Sequence, residues 1–282
     1  MKYIIKQSLN NNIVLVSDQK GLEHIFIGNG IGFNAKPKQV FSRIENVKRE
    51  FILKAKDNIE NYSRLINSTD LDLVSFLEEE IANIEIKIGK KLDERIHVNL
   101  IDHVAFAIQR HKDGLDFHNP LDANIRIMYK QEYEYATELL KNINKKFNIG
   151  LIDDEISFLA IHIHAATESD SVRESRAKIE IATSIINKIY EKLSIKKDIK
   201  SYSYQRLLLH TSYALERMMQ KEAIDIDSCV IKSLKDTYAF EFNVVSNIMK
   251  QIKEEYDIEF PESEIAYITI HVIKISQEKI EG

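Results

Sequence analysis

The chain contains itself twice, and each copy repeats the same two histidines. The stretch His103-Val104-Ala105-Phe106-Ala107-Ile108-Gln109-Arg110 returns as His210-Thr211-Ser212-Tyr213-Ala214-Leu215-Glu216-Arg217. Glu155-Ile156-Ser157-Phe158-Leu159-Ala160-Ile161-His162-Ile163 returns as Glu264-Ile265-Ala266-Tyr267-Ile268-Thr269-Ile270-His271-Val272. A repeat of roughly a hundred residues is the size of a domain rather than of a solenoid unit. Core packing accounts for the repeated apolar positions. It accounts less well for two imidazoles kept at nearly the same separation in both copies, because a core needs no imidazole.

Each copy reads as helix. Apolar residues recur at three and four from Lys56 onward, and Asn67-Ser68-Thr69-Asp70 is a stop and N-cap ahead of a helix over 71–88 that Gly89 ends. Further helices are expected over 99–111, from Ala123, over 132–147 with an Asn148-Ile149-Gly150 stop, and from Asp153-Asp154-Glu155 onward. A polar linker, 168–171, leads to the second copy, with helices over 171–193, 203–220, 240–256 and 262–275. Only three prolines and eight glycines interrupt 282 residues, which suits two bundles of about five helices each.

The duplication leaves the first sixty residues, and these read as strands. Runs over 3–8, 13–17 and 24–27 are β-branched and apolar, separated by Asn10-Asn11-Asn12 and Asp18-Gln19-Lys20-Gly21, and a further strand is expected over 46–53. Gly28-Asn29-Gly30-Ile31-Gly32-Phe33 breaks the pattern; its alternating glycines permit positive φ or a close backbone approach. It is not a nucleotide-phosphate loop, lacking both the P-loop Lys-Ser/Thr and the GxGxxG spacing. A small antiparallel sheet of this length buries little, so dimerisation would complete its core. The fold expected is therefore multidomain: a dimerising all-β module over 1–57, then homologous helical bundles over 65–170 and 171–282.

Charge divides the same way. Residues 1–56 hold ten Lys or Arg against four Asp or Glu, a net +6 that leaves −11 on the rest of a chain of net charge −5. A basic module ahead of an acidic body suggests a polyanion partner, although many basic faces are merely solvated. No apolar run reaches membrane-helix length, and the N-terminus lacks a signal-peptide core. The single cysteine, Cys229, suggests a reducing cytoplasm and reads as a small buried apolar residue.

Any one histidine of nine is most simply structural or exposed. His24, His97, His111, His118 and His164 have no counterpart in the repeat. His162 and His164 lie on nearly opposite sides of a helix and are poorly placed to chelate a metal. No HExxH motif or GxSxG elbow occurs, and no cofactor or metal is expected. A neutral imidazole is, however, a good nucleophile near pH 7 and can accept a phosphoryl group, gaining about two negative charges. Arg110 and Arg217 each follow the first histidine by seven positions, ~10 Å along the helix axis. That is too far for easy pairing within one helix, and a structural ion pair is the simpler role for each.

With these residues in view, the whole chain resembles the transcriptional antiterminators of the BglG/SacY/LicT family. Asn10-Asn11-Asn12-Ile13-Val14 and Gly28-Asn29-Gly30-Ile31-Gly32-Phe33 resemble the co-antiterminator RNA-binding domain. Asp102-His103, Phe106-Ala107-Ile108-Gln109-Arg110 and the second copy resemble two successive regulation domains of the sugar phosphotransferase system (PTS). The resemblance implies phosphorylation at His103, His162, His210 and His271, and RNA contact through Asn10, Asn12, Gly28, Asn29 and Phe33. Amides suit base edges, Phe suits stacking on an unpaired base, and glycine suits close approach. Asn29 departs from the Arg or Lys usual in the family, removing one phosphate contact and lowering the expected salt sensitivity; the segment 34–39 also departs from the usual acidic pattern. The resemblance further implies a homodimer, a hairpin in leader mRNA, inhibition through the first regulation domain by a sugar-specific permease, and activation through the second by the phosphocarrier HPr. The protein would then be a substrate of phosphoryl transfer rather than an enzyme. The alternative is a PTS-regulated DNA-binding activator, which a helix-turn-helix in the first sixty residues would favour.

Overall fold

The computed structural model describes residues 2–53 and 56–281. Met1, Lys54, Ala55 and Gly282 lie outside the described residues, and with them part of the passage from strand to helix. The β pattern at the N-terminus becomes a five-stranded antiparallel sheet: β1 (Tyr3–Asn10), β2 (Ile13–Ser17), β3 (Glu23–Ile27), β4 (Val40–Phe41) and β5 (Arg49–Leu53), in the order β4-β1-β2-β3-β5. Register is set by Val16 opposite His24 and His24 opposite Ile52. One face gathers Tyr3, Ile5, Val14, Val16, Phe26 and Phe41 with Ile31, the rings of Tyr3 and Phe26 meeting edge-on at 4.8 Å. Central β2 is buried along its whole length.

Two expectations shift here. The strand expected over 46–53 is shorter, because a 3₁₀ turn at Ile44–Asn46 precedes it. The two-residue β4, with Val40 exposed and Phe41 buried, carries too little pattern to be read in advance.

Eleven helices follow among the described residues: α1 (Lys56–Ser68), α2 (Leu71–Ile88), α3 (Ile96–Lys112), α4 (Asp122–Met128), α5 (Lys130–Phe147), α6 (Asp154–Glu168), α7 (Val172–Leu193), α8 (Tyr202–Gln220), α9 (Ser228–Thr237), α10 (Ala239–Tyr256) and α11 (Glu262–Glu281). Asp70 caps α2 by accepting from the Asp72 and Leu73 amides, and Gly89 closes it at φ 78°. Asn148 ends α5 and Ser169 ends α6, each at positive φ. No described helix is long and apolar enough to cross a membrane.

The chain forms two compact units. The first comprises Met1–Asn119 and Gln131–Ser171, so the sheet and the first bundle belong together, with α2 packed on β1. The second comprises Pro120–Lys130 and Val172–Gly282. Its core joins α7, α8, α10 and α11 through Ile185, Ile189, Leu207, Leu208, Ile248 and Ile268. Helix α9 was not foreseen, and Cys229 in its first turn is exposed rather than buried. None of α9's residues is fully buried; Ile231 and Leu234 pack partly buried against the second core, so the stripe that signals the helix is short.

Candidate functional site

The two histidines of each copy, distant in sequence, meet in space. His103 lies on α3 beside the buried row Leu100, Val104 and Ala107, while His162 lies on α6 between Leu159 and Ile163. Helix α3 packs on α6, which brings the two rings to 5.0 Å between centroids. In the second copy α8 packs on α11, and the rings of His210 and His271 stack at 3.8 Å with only 8° between their planes.

This proximity and burial set the charge state of the rings. Burial, then the nearby His103, pulls His162 down to about 3. Burial, then His210 and Arg206, pulls His271 down to about 4. His210 is lowered by burial and by the guanidinium groups of Arg206 and Arg217. Such imidazoles are neutral at pH 7 and keep a lone pair, the form that acts as a nucleophile.

The remaining histidines behave differently. His24 lies 2.6 Å from Glu50, His97 2.7 Å from Glu78, His111 2.9 Å from Asp116, His118 3.0 Å from Asp154 and His164 3.0 Å from Glu132. Each of the five unrepeated rings thus has a carboxylate partner. Among the four repeated ones, only His103 has one among the described residues, through Nε2 and Glu155 at 3.0 Å.

The repeated arginines take the structural role. Arg110 reaches the other oxygen of Glu155, and Arg217 grips Glu264 with two bonds of 2.8 and 2.6 Å. Glu155 is 2% exposed and Glu264 0%, so each buried carboxylate has a cation that compensates its burial. Glu155 and Glu264 hold equivalent places in the repeat. That equivalence is the signal in the sequence for their importance. The equivalent residues Phe158 and Tyr267 also flank the sites: Phe158 is 5.6 Å from the His103 ring, and the Tyr267 hydroxyl bonds Nδ1 of His210.

The sheet module presents its own constellation. The Asn10 carboxamide oxygen accepts from the amides of Asn12 and Ile13 at 2.7 and 2.9 Å, and the Asn12 carboxamide accepts from Gly30 at 3.0 Å. These two asparagines therefore hold the turn and loop together. A Cβ on Gly28 would stand 1.9 Å from the Asn46 carbonyl, and one on Gly32 1.8 Å from that of Asn10. The requirement for glycine at both positions comes from the chain itself. Arg43, which the sequence reading missed, donates to the carbonyls of Gly30 and Phe33 at 2.7 Å each. On this braced loop Asn29 and Phe33 are exposed, Phe33 to 57%, and Lys48 donates to Asn29 at 3.2 Å.

Comparison with known proteins agrees with this layout. Residues 3–60 match the CAT RNA binding domain, and residues 78–166 and 183–275 each match the PRD domain. The chain is 28% identical to the GlcA/glcB genes antiterminator of Staphylococcus carnosus over 98% of this chain and 96% of that protein. It is 27% identical to the transcription antiterminator LicT of Bacillus subtilis, over 97% and 99%. A solved structure, the crystal structure of GlcT CAT-PRDI, superposes with a TM-score of 0.53 at 36% identity, covering 59% of this chain and 98% of that one. With an RNA-binding sheet followed by two histidine-bearing helical repeats, the chain belongs to the family of transcriptional antiterminators built from a CAT RNA-binding domain and two PRD domains.

Proposed function

We propose that this protein binds a hairpin in nascent leader mRNA of a sugar-utilisation operon as a dimer. By doing so it prevents an overlapping terminator from forming, and its activity is set by histidine phosphorylation from the PTS. The observation that carries the regulatory half is the meeting of His103 with His162 and of His210 with His271. Each pair includes a ring that burial keeps neutral, His162 in the first and both His210 and His271 in the second, and a neutral imidazole is suited to accept phosphate. The charge so added is large enough to bias a two-state assembly. The RNA half rests on the exposed Phe33 and Asn29 of the braced loop in a basic module. The protein acts in the cytoplasm as a substrate of phosphoryl transfer, the first PRD receiving the inhibitory permease input and the second the activating HPr input.

The test is to incubate the full chain with phosphorylated HPr and with the phosphorylated permease domains, map phosphohistidines by mass spectrometry, and assay antitermination in a reporter strain. His103→Ala and His162→Ala should give antitermination without inducer, while His210→Ala and His271→Ala should reduce it wherever HPr input is required. Phosphate confined to the five unrepeated histidines would overturn the reading. Constitutive activity from the second pair alone would reverse the two inputs.

A further inference from the structure

The two copies hold their first histidine by different chemistry. In the first, Nε2 of His103 meets Glu155 at 3.0 Å, and the second oxygen of that carboxylate meets Arg110. In the second, Arg217 occupies both oxygens of Glu264, and the Ile224 amide donates to one of them at 3.0 Å. His210 turns instead to the Tyr267 hydroxyl. A carboxylate only accepts hydrogen bonds, whereas a phenol can donate or accept. Glu155 therefore fixes one tautomer of His103, with the proton on Nε2 and the lone pair on Nδ1. Nδ1 carries no hydrogen bond among the described residues. Tyr267 imposes no such choice on His210.

We propose that Glu155 is a positioning residue for phosphoryl transfer to the first PRD, presenting Nδ1 of His103 as the attacking atom, a device the second PRD lacks. This rests on the reading of His103 as a phosphoacceptor. In the step, the Nδ1 lone pair forms a bond to phosphorus of a protein phosphohistidine whose free ring nitrogen is protonated. The donor P–N bond breaks, and its electron pair stays on the donor ring, which leaves neutral. Positive charge appears on the His103 ring, whose Nε2 proton remains bonded to Glu155. The carboxylate thus orients the ring and stabilises the imidazolium that forms, as the carboxylate of a hydrolase triad does for its histidine. No proton leaves the acceptor.

Glu155→Gln gives the discriminating variant. Arg110 only donates, so it claims the amide oxygen and turns the amide NH₂ toward His103, which selects the opposite tautomer. The experiment uses the full chain labelled with ¹⁵N-histidine. Long-range ¹H–¹⁵N correlations read the tautomer of each ring before phosphorylation and the P–N linkage after reaction with the phosphorylated permease domains and phosphorylated HPr. The expected result is an Nε2–H tautomer and an Nδ1 phosphate on His103 in the native chain. In Glu155→Gln the tautomer inverts, and phosphorylation of His103 slows ~10-fold or more, less than loss of a full general base because no proton is removed. His210 keeps its native rate as the internal control. Phosphate on Nε2 of native His103, or an unchanged His103 rate in Glu155→Gln, overturns the proposal and leaves the phosphoacceptor reading standing. Absence of phosphate on all four repeated histidines overturns that reading and the proposal together, and the tautomer spectrum of the same sample shows that the ring was held as described.

Discussion

At the scale of single residues, the sheet module separates side chains that brace its loops from side chains it leaves exposed. Asn10, Asn12 and Gly28 brace the loops, while Phe33 is tied in through its backbone and remains 57% exposed. Phe33→Ala should therefore leave folding intact and weaken RNA binding by about 1–3 kcal/mol, the worth of one base stacked on an aromatic ring. Titrating a leader hairpin against both proteins checks this; equal affinities would place the RNA elsewhere. The histidines give a second expectation. His271 is held at about 4, below the ordinary 6.5 of an unfolded chain, and His210 is also lowered. Between those values the unfolded state binds more protons than the folded one. The contribution of His271 is thus complete above about 6.5 and is lost as pH falls toward 4, and that of His210 has the same sign. Urea midpoints at pH 7 and pH 5 should differ less for His271→Asn than for the native chain. His97 has the opposite sign. Burial lowers it, but Glu78 together with Glu85 and Glu94 raises it overall. Its contribution is therefore full at low pH and fades as pH rises through the folded value.

At the scale of elements, legibility followed whether a segment makes its own punctuation. Helix α2 was readable to the residue because Asp70 caps it and Gly89 stops it. Helix α9, whose stripe is only the partly buried Ile231 and Leu234, and β4, two residues long, offer too little period to detect. The same limit applies to the site. The repetition of four histidines was visible in the sequence, but nothing in it stated that α3 lies on α6 and α8 on α11. Nor did it show that Glu155 divides its oxygens between a histidine and an arginine while Glu264 gives both to Arg217. Those are facts of packing between elements that lie about fifty residues apart. The glycine loop reads as positive φ or a close backbone approach, and both occur: Gly30 takes φ +67°, while Gly28 and Gly32 make room for the chain's own carbonyls. Gly32→Ala would push a Cβ to 1.8 Å from the Asn10 carbonyl, a backbone atom that cannot move without disturbing the β1–β2 turn. It should cost more RNA affinity than Phe33→Ala and also lower the melting temperature of the module, which Phe33→Ala should not. A Gly32→Ala protein with native stability would show that the loop relaxes.

At the scale of the whole molecule, the chain does not run through one unit and then the next. It crosses between them after Asn119, after Lys130 and after Ser171. Asn119 is anchored in the first unit by Asp154 and Ser157 at 2.8 Å each, yet eleven residues beginning at Pro120 belong to the second. The packing of α4 explains why. Ile125 is wholly buried, Asn124 donates to Thr183 at 2.8 Å and accepts from the Tyr204 hydroxyl at 2.7 Å, and Ile127 and Met128 join the second core. Tyr204 is itself fully buried, so Asn124 satisfies a hydroxyl that would otherwise be costly to enclose. A short helix written into the first repeat thus helps to hold the second bundle. Ile125→Ala should open a cavity costing about 2–5 kcal/mol, and the loss should fall on α7 and α8 rather than on α3 and α6. Hydrogen exchange of the full chain resolves the two outcomes, since ~1.4 kcal/mol of local stability is a tenfold change in opening. Exchange should accelerate by roughly tenfold or more in the α7 and α8 peptides and stay at the native rate around His103 and His162. Acceleration confined to α3 and α6 would mean that α4 serves the first bundle in solution, and that the units part at Ser171 alone.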